Sequence, residues 1–171
     1  RGLEVVVVNP DFVVGAWDLK PTSGAMIVTM AKRWVPVFPK GGKCFIDADD
    51  CAEAHAAAMD RGRSGERYLL GVWNLTYKQF MTEIAAIVGQ RPPVLPVPKS
   101  ALSAAGVVGR VAARVNPHGA AGLEPNVLRS MNQLRYRSGE KAKHELGLSS
   151  TPISESIRKA HEWFKAHGYL D

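Results

Sequence analysis

Asn9-Pro10-Asp11-Phe12-Val13-Val14-Gly15 is the stretch of this sequence best placed to hold a ligand. It follows a β-branched run, Val5 to Val8, that reads as a strand of a parallel sheet. In open α/β sheets, ligands sit outside the carboxyl ends of such strands. Pro10 fixes φ, offers no amide hydrogen and turns the chain out of the sheet, so the backbone of Asp11 to Val13 would face a crevice. An ordinary strand-to-loop exit reads the same way, and spacing alone leaves both open. The chemistry expected here is binding rather than proton transfer. No Tyr is followed four residues later by Lys, and no Gly-x-Ser-x-Gly elbow exists. The pairs Gly62/Gly65, Gly106/Gly109 and Gly119/Gly122 each lack the third glycine of a nucleotide-binding turn, and Gly41-Gly42-Lys43 lacks the rest of a phosphate loop. The five histidines have no nucleophile partner, and no His/Cys group has zinc spacing, so neither a catalytic residue nor a metal ligand is assigned. His55, on an alanine-rich stretch, reads as a packed core histidine. Cys44 and Cys51 form no CxxC pair and read as reduced thiols, which points to a cytoplasmic setting.

The elements that must position this segment follow from periodicity and punctuation. Leu3 to Asn9 predicts a central strand covered on both faces, and Pro10 to Thr22 a loop. Ile27, Met30 and Trp34 share a face and predict a helix over 23–34, ended by Pro36 and Pro39. Cys44-Phe45-Ile46 predicts a short strand. Asp50 and Glu53 predict a capping box opening a helix that stops at Arg61-Gly62, and Thr76 with Gln79 a second box opening a helix that ends at Gly89. That cap accounts for Thr76 better than the sequon Asn74-Leu75-Thr76 does. Glu66 to Gly71 predicts a strand. Pro92 to Pro98 predicts an extended edge segment, 101–115 a small-residue helix, 116–122 a loop, 124–135 a helix, and 138–146 a short helix closed by Gly147. Thr151-Pro152 predicts a capping hydroxyl and an N1 proline before a last helix with Ile153, Ile157, Ala160 and Phe164 on one stripe.

The 171 residues are 46% apolar and 22% charged, a globular composition that excludes disordered and collagen-like chains. No apolar run approaches the roughly 20 residues of a membrane helix. The sequence opens Arg-Gly-Leu-Glu and enters an apolar strand at once, which suggests a start inside a domain. The net charge of +6 lies wholly in residues 91–171. Arg135, Arg137, Lys141, Lys143 and the others are scattered without stacking aromatics or a nucleic-acid-binding signature. A solvated basic face, or a patch attracting a phosphorylated small molecule, accounts for them better than nucleic acid.

The order of motifs resembles the C-terminal half of the extended short-chain dehydrogenase/reductases. More narrowly, it resembles their dihydroflavonol 4-reductase-like NAD-dependent epimerase/dehydratase branch, which includes the hopanoid-associated sugar epimerases. The residues that carry it are Gly2 to Gly15, Asp18 to Thr22, Phe45 to His55, Gly65 to Gly71, Asn74 to Thr76 and Glu162 to Leu170. The resemblance implies an α/β fold: the C-terminal part of a Rossmann-type parallel sheet domain plus a small, mainly helical substrate-binding lobe. Residues 1–22 would supply the late strand and exit loop, and 23–171 the lobe with returning sheet elements. In this family the glycine-rich turn and the Tyr-x-x-x-Lys pair precede this segment, which would explain their absence.

By the same resemblance, NAD or NADP is the cofactor. Pro10, Asp11, Phe12, Val13 and Ser23 would face it, while Trp17, Lys20 and Met26 would face the substrate. Asp11 stands where relatives often carry Ser or Thr. Asp50 would act as a structural cap within a strand-to-helix motif that buttresses the pocket. The partners implied are a small-molecule carbonyl or sugar-nucleotide substrate, the first half of the same protein, and a second copy in a homodimer, with no nucleic acid and no membrane. The parent would be an enzyme and this chain alone inactive. The rival readings are a non-catalytic subunit or scaffold derived from a reductase and, more weakly, a basic nucleic-acid-binding domain.

Overall fold

The computed structural model describes residues 2–97 and 130–171. The helix expected over 101–115, the loop over 116–122 and the first half of the helix expected over 124–135 lie outside them. The chain runs β1 (Val7–Pro10), β2 (Phe12–Val14), α1 (Ala25–Lys32), β3 (Val37–Phe38), β4 (Gly42–Asp47), α2 (Ala48–Arg61), β5 (Arg67–Leu70), β6 (Trp73–Thr76) and α3 (Tyr77–Val88). After β7 (Leu95–Pro96) come β8 (Leu134–Arg135), α4 (Glu140–Leu146) and α5 (Ile153–Ala166).

β4 is the hub. Its second half pairs in parallel with β2, Phe45 facing Phe12 and Asp47 facing Val14. Its first half pairs antiparallel with β6 on one side, Gly42 facing Thr76, and in parallel with β8 on the other, Gly42 facing Leu134. β1 and β5 form a separate parallel ladder, Val7 facing Arg67 and Pro10 facing Leu70. β3 and β7 form a third pair, in keeping with the proline-laden edge expected there.

The ladders meet where two chains change sheet at one level. The Asp11 amide still donates to the Leu70 carbonyl (3.1 Å), one residue before β2 begins, and the Val72 amide donates to the Phe45 carbonyl (2.9 Å), one residue before β6. Gly71 sits at that crossing because a Cβ there would press on the Cys44 sulfur. The Pro10–Thr22 segment is therefore not all loop. β2 is three residues long, too short for its period to show.

Two cores result. Val14, Phe45, Phe80, Ile84, Ile157 and Phe164 pack between β2, β4, α1, α3 and α5. The other joins Ile46, Ala54, Tyr68, Leu70 and Leu146 under α2 and α4. The stripe expected on α5 is the one buried, with Ile157, Ala160 and Phe164 at 0% exposure. Thr76 caps α3 with the full reciprocal box to Gln79, and Gly89 and Gly147 close α3 and α4 in left-handed conformations (φ 72° each). Both cysteines are free, and both are buried.

Several expectations are corrected. Asp47, not Asp50, caps α2, accepting from the Asp49 (2.8 Å) and Asp50 (3.4 Å) amides. The helix starts three residues earlier than the box implied, because β4 runs straight into it. Asp50 is buried and takes Thr151 instead: its carboxylate accepts from the Thr151 amide and hydroxyl, each at 2.8 Å. Thr151 thus spends its hydroxyl on Asp50, and Pro152 is the N-cap of α5 rather than its first helical residue, with no side-chain cap. His55 is exposed, its Nδ1 2.7 Å from the Cys51 carbonyl oxygen on its own helix. The alanines beside it do not mark a buried face, because only Cys51, Ala54 and Ala58 of that helix turn inward together with Asp50. Residues 134–135 are strand, not helix, because β4 has an edge open to them. β1 is mostly exposed rather than covered on both faces. β5 satisfies one edge of it, and Leu3, Val5 and Val7 keep 86%, 45% and 37% of their surface.

Removing the Asp50 carboxylate (Asp50→Ala) strands a buried amide and hydroxyl, and we expect it to cost the full-length protein ~1–3 kcal/mol in urea unfolding. Asp50→Ala combined with Thr151→Val should cost little more than Asp50→Ala alone, because both delete one interaction.

Candidate functional site

Three crevices divide the residues expected to bind. The first, about 330 Å³, lies on the open face of the β1–β5 ladder and is lined by Asn9, Pro10, Asp11, Lys43, Arg67, Leu69, Leu70, Arg135 and Arg137. The parallel register puts Val7, Asn9, Arg67 and Leu69 on one face, and Val8, Tyr68 and Leu70 on the face toward α2 and α4. Four cations thus surround one carboxylate. Asp11 and Lys43 stand 3.8 Å apart, and the Lys43 ammonium lies 5.7 Å from the centre of the Phe12 ring.

Arg135 of β8 and Arg137 just after it are held in place by their neighbours. Asn74 receives the Arg137 amide (3.0 Å) and donates to the Arg137 carbonyl (2.8 Å), which occupies both ends of its amide. Gly41 and Gly42 donate to the Met131 and Gln133 carbonyls at 3.0 and 3.1 Å. The Arg135 guanidinium donates to Gln133 Oε1 (2.9 Å). Beneath Asp11 lies Tyr77. Burial, with the Asp11 charge second, pushes its phenol up to about 12, against an opposing pull from Arg135. Burial likewise pushes the Cys44 and Cys51 thiols up, which disfavours the reactive thiolate.

The second crevice, about 220 Å³, opens at the carboxyl ends of β2 and β4 and is lined by Val13, Gly15, Ala16, Trp17, Asp18, Ser23 and Ala48. Gly15 is required there, since a Cβ would run into Ala48. The Asp18 carboxylate ties the loop by accepting from the Thr22 (3.0 Å) and Gly24 (2.9 Å) amides. The third crevice, about 180 Å³ and largely apolar, holds Met26 with Ala25, Thr29, Met30, Val35 and Met81.

The structure therefore brings Pro10 and Asp11 together in the first crevice, and Val13, Trp17 and Ser23 together in the second. Phe12 turns inward against Phe45 (centroids 5.0 Å apart) and Phe80 (6.1 Å). Met26 stands apart in the third crevice, and Lys20 is exposed on the loop. Lys43, Arg67, Arg135 and Arg137 were not singled out as a set. The alternation Arg135-x-Arg137 would put both side chains on one face of a strand, but it carries that message only once 134–135 is known to be strand. Among the described residues no group of His, Cys, Asp and Glu could hold a metal ion, and no helix is long and apolar enough to cross a membrane.

No protein-family model matches the chain. It is 32% identical over 185 aligned positions to a dihydroflavonol 4-reductase-like protein of Synechocystis sp., an alignment covering 99% of this chain and 51% of that protein. Among solved structures, a nucleoside-diphosphate-sugar epimerase from Pseudomonas aeruginosa superposes with a TM-score of 0.80 at 31% identity, over 99% of this chain and 51% of that one. A UDP-glucuronic acid 4-epimerase from Bacillus cereus, solved in complex with NAD, shares the fold at a TM-score of 0.64 and 14% identity, over 96% of this chain and 46% of that one. The chain spans about half the length of the curated relatives it matches. The mixed α/β architecture with parallel strands is that of the Rossmann-type reductases and epimerases.

Tyr77 gives a test of the site's electrostatics. Its folded-state value lies above the ordinary 10.0, so the folded protein holds this proton more tightly than the unfolded chain. The resulting stability is complete below pH 10 and is lost as pH rises toward 12. In alkaline titration of the phenolate absorbance, one tyrosine should ionise last, and Tyr77→Phe should remove that late step.

Proposed function

We propose that the chain, similar to dihydroflavonol 4-reductase-like proteins and nucleotide-sugar epimerases, belongs to the extended short-chain dehydrogenase/reductases and forms the substrate-binding half of an NAD(P)-dependent reductase or epimerase acting on a carbonyl or sugar-nucleotide substrate. The observation that carries this reading is the pair of crevices at the exits of β1 and β2. One is cationic and one is lined by small residues, and both border Asn9 to Gly15.

The residues present fit a pyridine nucleotide. Gly15, Ala16 and Ala48 leave room beside the end of β2, and Ser23 offers a hydroxyl at the rim. In this reading Val13 and Ser23 line the nicotinamide side directly. Pro10 and Asp11 shape the wall between the two crevices, and Phe12 supports it from the core. Trp17, Lys20 and Met26 belong to the substrate side, Trp17 at the rim of the small crevice. The nicotinamide, when bound, supplies or accepts the hydride. This chain's residues bind and orient, which lowers the entropy cost of bringing reactants together. The acid/base Tyr and its Lys would come from the other half of the protein, because no Tyr here has Lys four residues on.

The charge balance of the first crevice favours an anionic substrate. Lys43, Arg67, Arg135 and Arg137 outnumber Asp11, and guanidinium groups bind phosphate in a bidentate way. The open edge of β1, with Leu3, Val5 and Val7 exposed, suits a further parallel strand from the preceding half of the protein.

The full-length protein should either oxidise NADPH or NADH as it reduces a carbonyl substrate, or interconvert a nucleotide sugar and its epimer with no net consumption of the cofactor, and the 171-residue chain alone should do neither. Turnover by the isolated chain would overturn the reading. Arg135→Ala should raise KM for a phosphorylated substrate ~10-fold or more, the loss expected for a hydrogen bond between charged groups, and should leave KM for an uncharged carbonyl unchanged.

A further inference from the structure

Trp17 is, among the described residues, the non-glycine residue with positive φ (70°), a conformation that costs free energy for a side chain of this size and persists only where its surroundings enforce it. Those surroundings are explicit. On one side the Leu19 amide donates to the Trp17 carbonyl (3.0 Å), and Asp18 is fixed by the Thr22 and Gly24 amides. On the other side the Tyr169 hydroxyl, 150 residues away in sequence, donates to the Leu19 carbonyl (2.9 Å). The Trp163 ring lies 6.0 Å from the Trp17 ring and itself contacts His167 (4.3 Å) and Tyr169 (5.5 Å). Trp163 Nε1 is buried without a hydrogen-bond partner among the described residues, so ring contacts rather than a polar bond fix its place.

This bracing does not bury Trp17, which keeps 74% of its surface exposed. A loop tied at several points around a large apolar ring that nothing in this chain covers is not a packing solution within the chain. The ring stands at the rim of the crevice between the ends of β2 and β4. The lining of that crevice holds no Lys or Arg, and its one carboxylate, Asp18, accepts from two loop amides, so nothing there attracts an anionic ring.

We propose that Trp17 is a stacking platform for a flat, uncharged ring of the substrate, and that Tyr169 is a positioning residue that holds the platform in place without touching the ligand. The assignment of the ring to substrate rests on the functional reading above. The stacking itself does not. Offset ring stacking supplies both affinity and orientation, and a pre-braced Trp avoids the entropy cost of ordering the loop on binding. The substrate class this adds is a molecule with an anionic end for the cationic crevice and a planar ring for Trp17.

The test uses the full-length protein labelled with 5-fluorotryptophan, the Trp17 fluorine resonance being assigned by its loss in Trp17→Phe. Cinnamyl alcohol, which is flat, should shift that resonance saturably, whereas hexan-1-ol, which is flexible, should not. Tyr169→Phe should weaken cinnamyl alcohol binding roughly threefold to tenfold, the worth of one aromatic contact, and should move the Trp17 and Trp163 resonances while leaving those of Trp34 and Trp73 in place. Trp17→Phe should retain most of the binding and Trp17→Ala should lose it. The proposal is overturned if cinnamyl alcohol leaves the Trp17 resonance where it is, if both alcohols shift it alike, or if Tyr169→Phe binds as the parent does. Oxidation of NADPH with cinnamaldehyde is measured separately. Binding without oxidation upholds the platform and counts against the reductase reading.

Discussion

Saturation of the edges of β4 is the constraint on which the rest of this structure depends. Cys44, Phe45, Ile46 and Asp47 are all buried, and a buried strand cannot leave backbone amides and carbonyls unpaired. β2, β6 and β8 answer that demand from three distant parts of the sequence. Each brings a functional segment with it. β2 brings the exit that ends in Trp17, β6 brings the Asn74 clamp, and β8 brings Arg135 and Arg137. The binding surfaces are in this sense by-products of hydrogen-bond accounting around six residues.

From β4 the order passes directly into α2. Asp47 ends the strand, accepts the first amides of the helix, and has its Oδ1 3.5 Å from the Lys159 ammonium of α5. Three residues on, Asp50 grips Thr151 just before α5. Two carboxylates on one strand-to-helix turn thus anchor the last helix, and that helix carries Phe164 against Gly24 and Trp163 against Trp17. Although neither carboxylate touches a crevice, both set where its walls stand.

Much of this was legible in the sequence, and the failures have physical causes. The box at Thr76, the terminators Gly89 and Gly147 and the stripe on α5 were readable because each is a local signal with a local partner. Motif order gave the Rossmann-type class, whereas the exit expected at Pro10 falls after β2, because the chain passes from one ladder straight into the next. What could not be read were two- and three-residue strands such as β2 and β8, whose existence is dictated by β4 and not by their own composition. The role of Asp50 was misread for a related reason. A carboxylate ahead of a helical run looks like a cap, and only the fold shows that Asp47 already fills that position and that Thr151 stands within reach. Lys43 and Arg67 gave no signal at all, since two isolated cations acquire meaning only when strands from different segments set them on one wall.

The Asp50–Thr151 bond spans 101 residues of chain, and this bears on the order of folding. Closing so long a loop carries an entropy cost that local turns do not, and contacts of this separation slow the search for the native state. The α2 helix and its Asp47 cap can form early from neighbouring residues, whereas the docking of α5, and with it the bracing of the Trp17 loop by Trp163 and Tyr169, must wait until the intervening chain has been synthesised and gathered in. The rim of the smaller crevice is thus among the last parts of the chain to take shape.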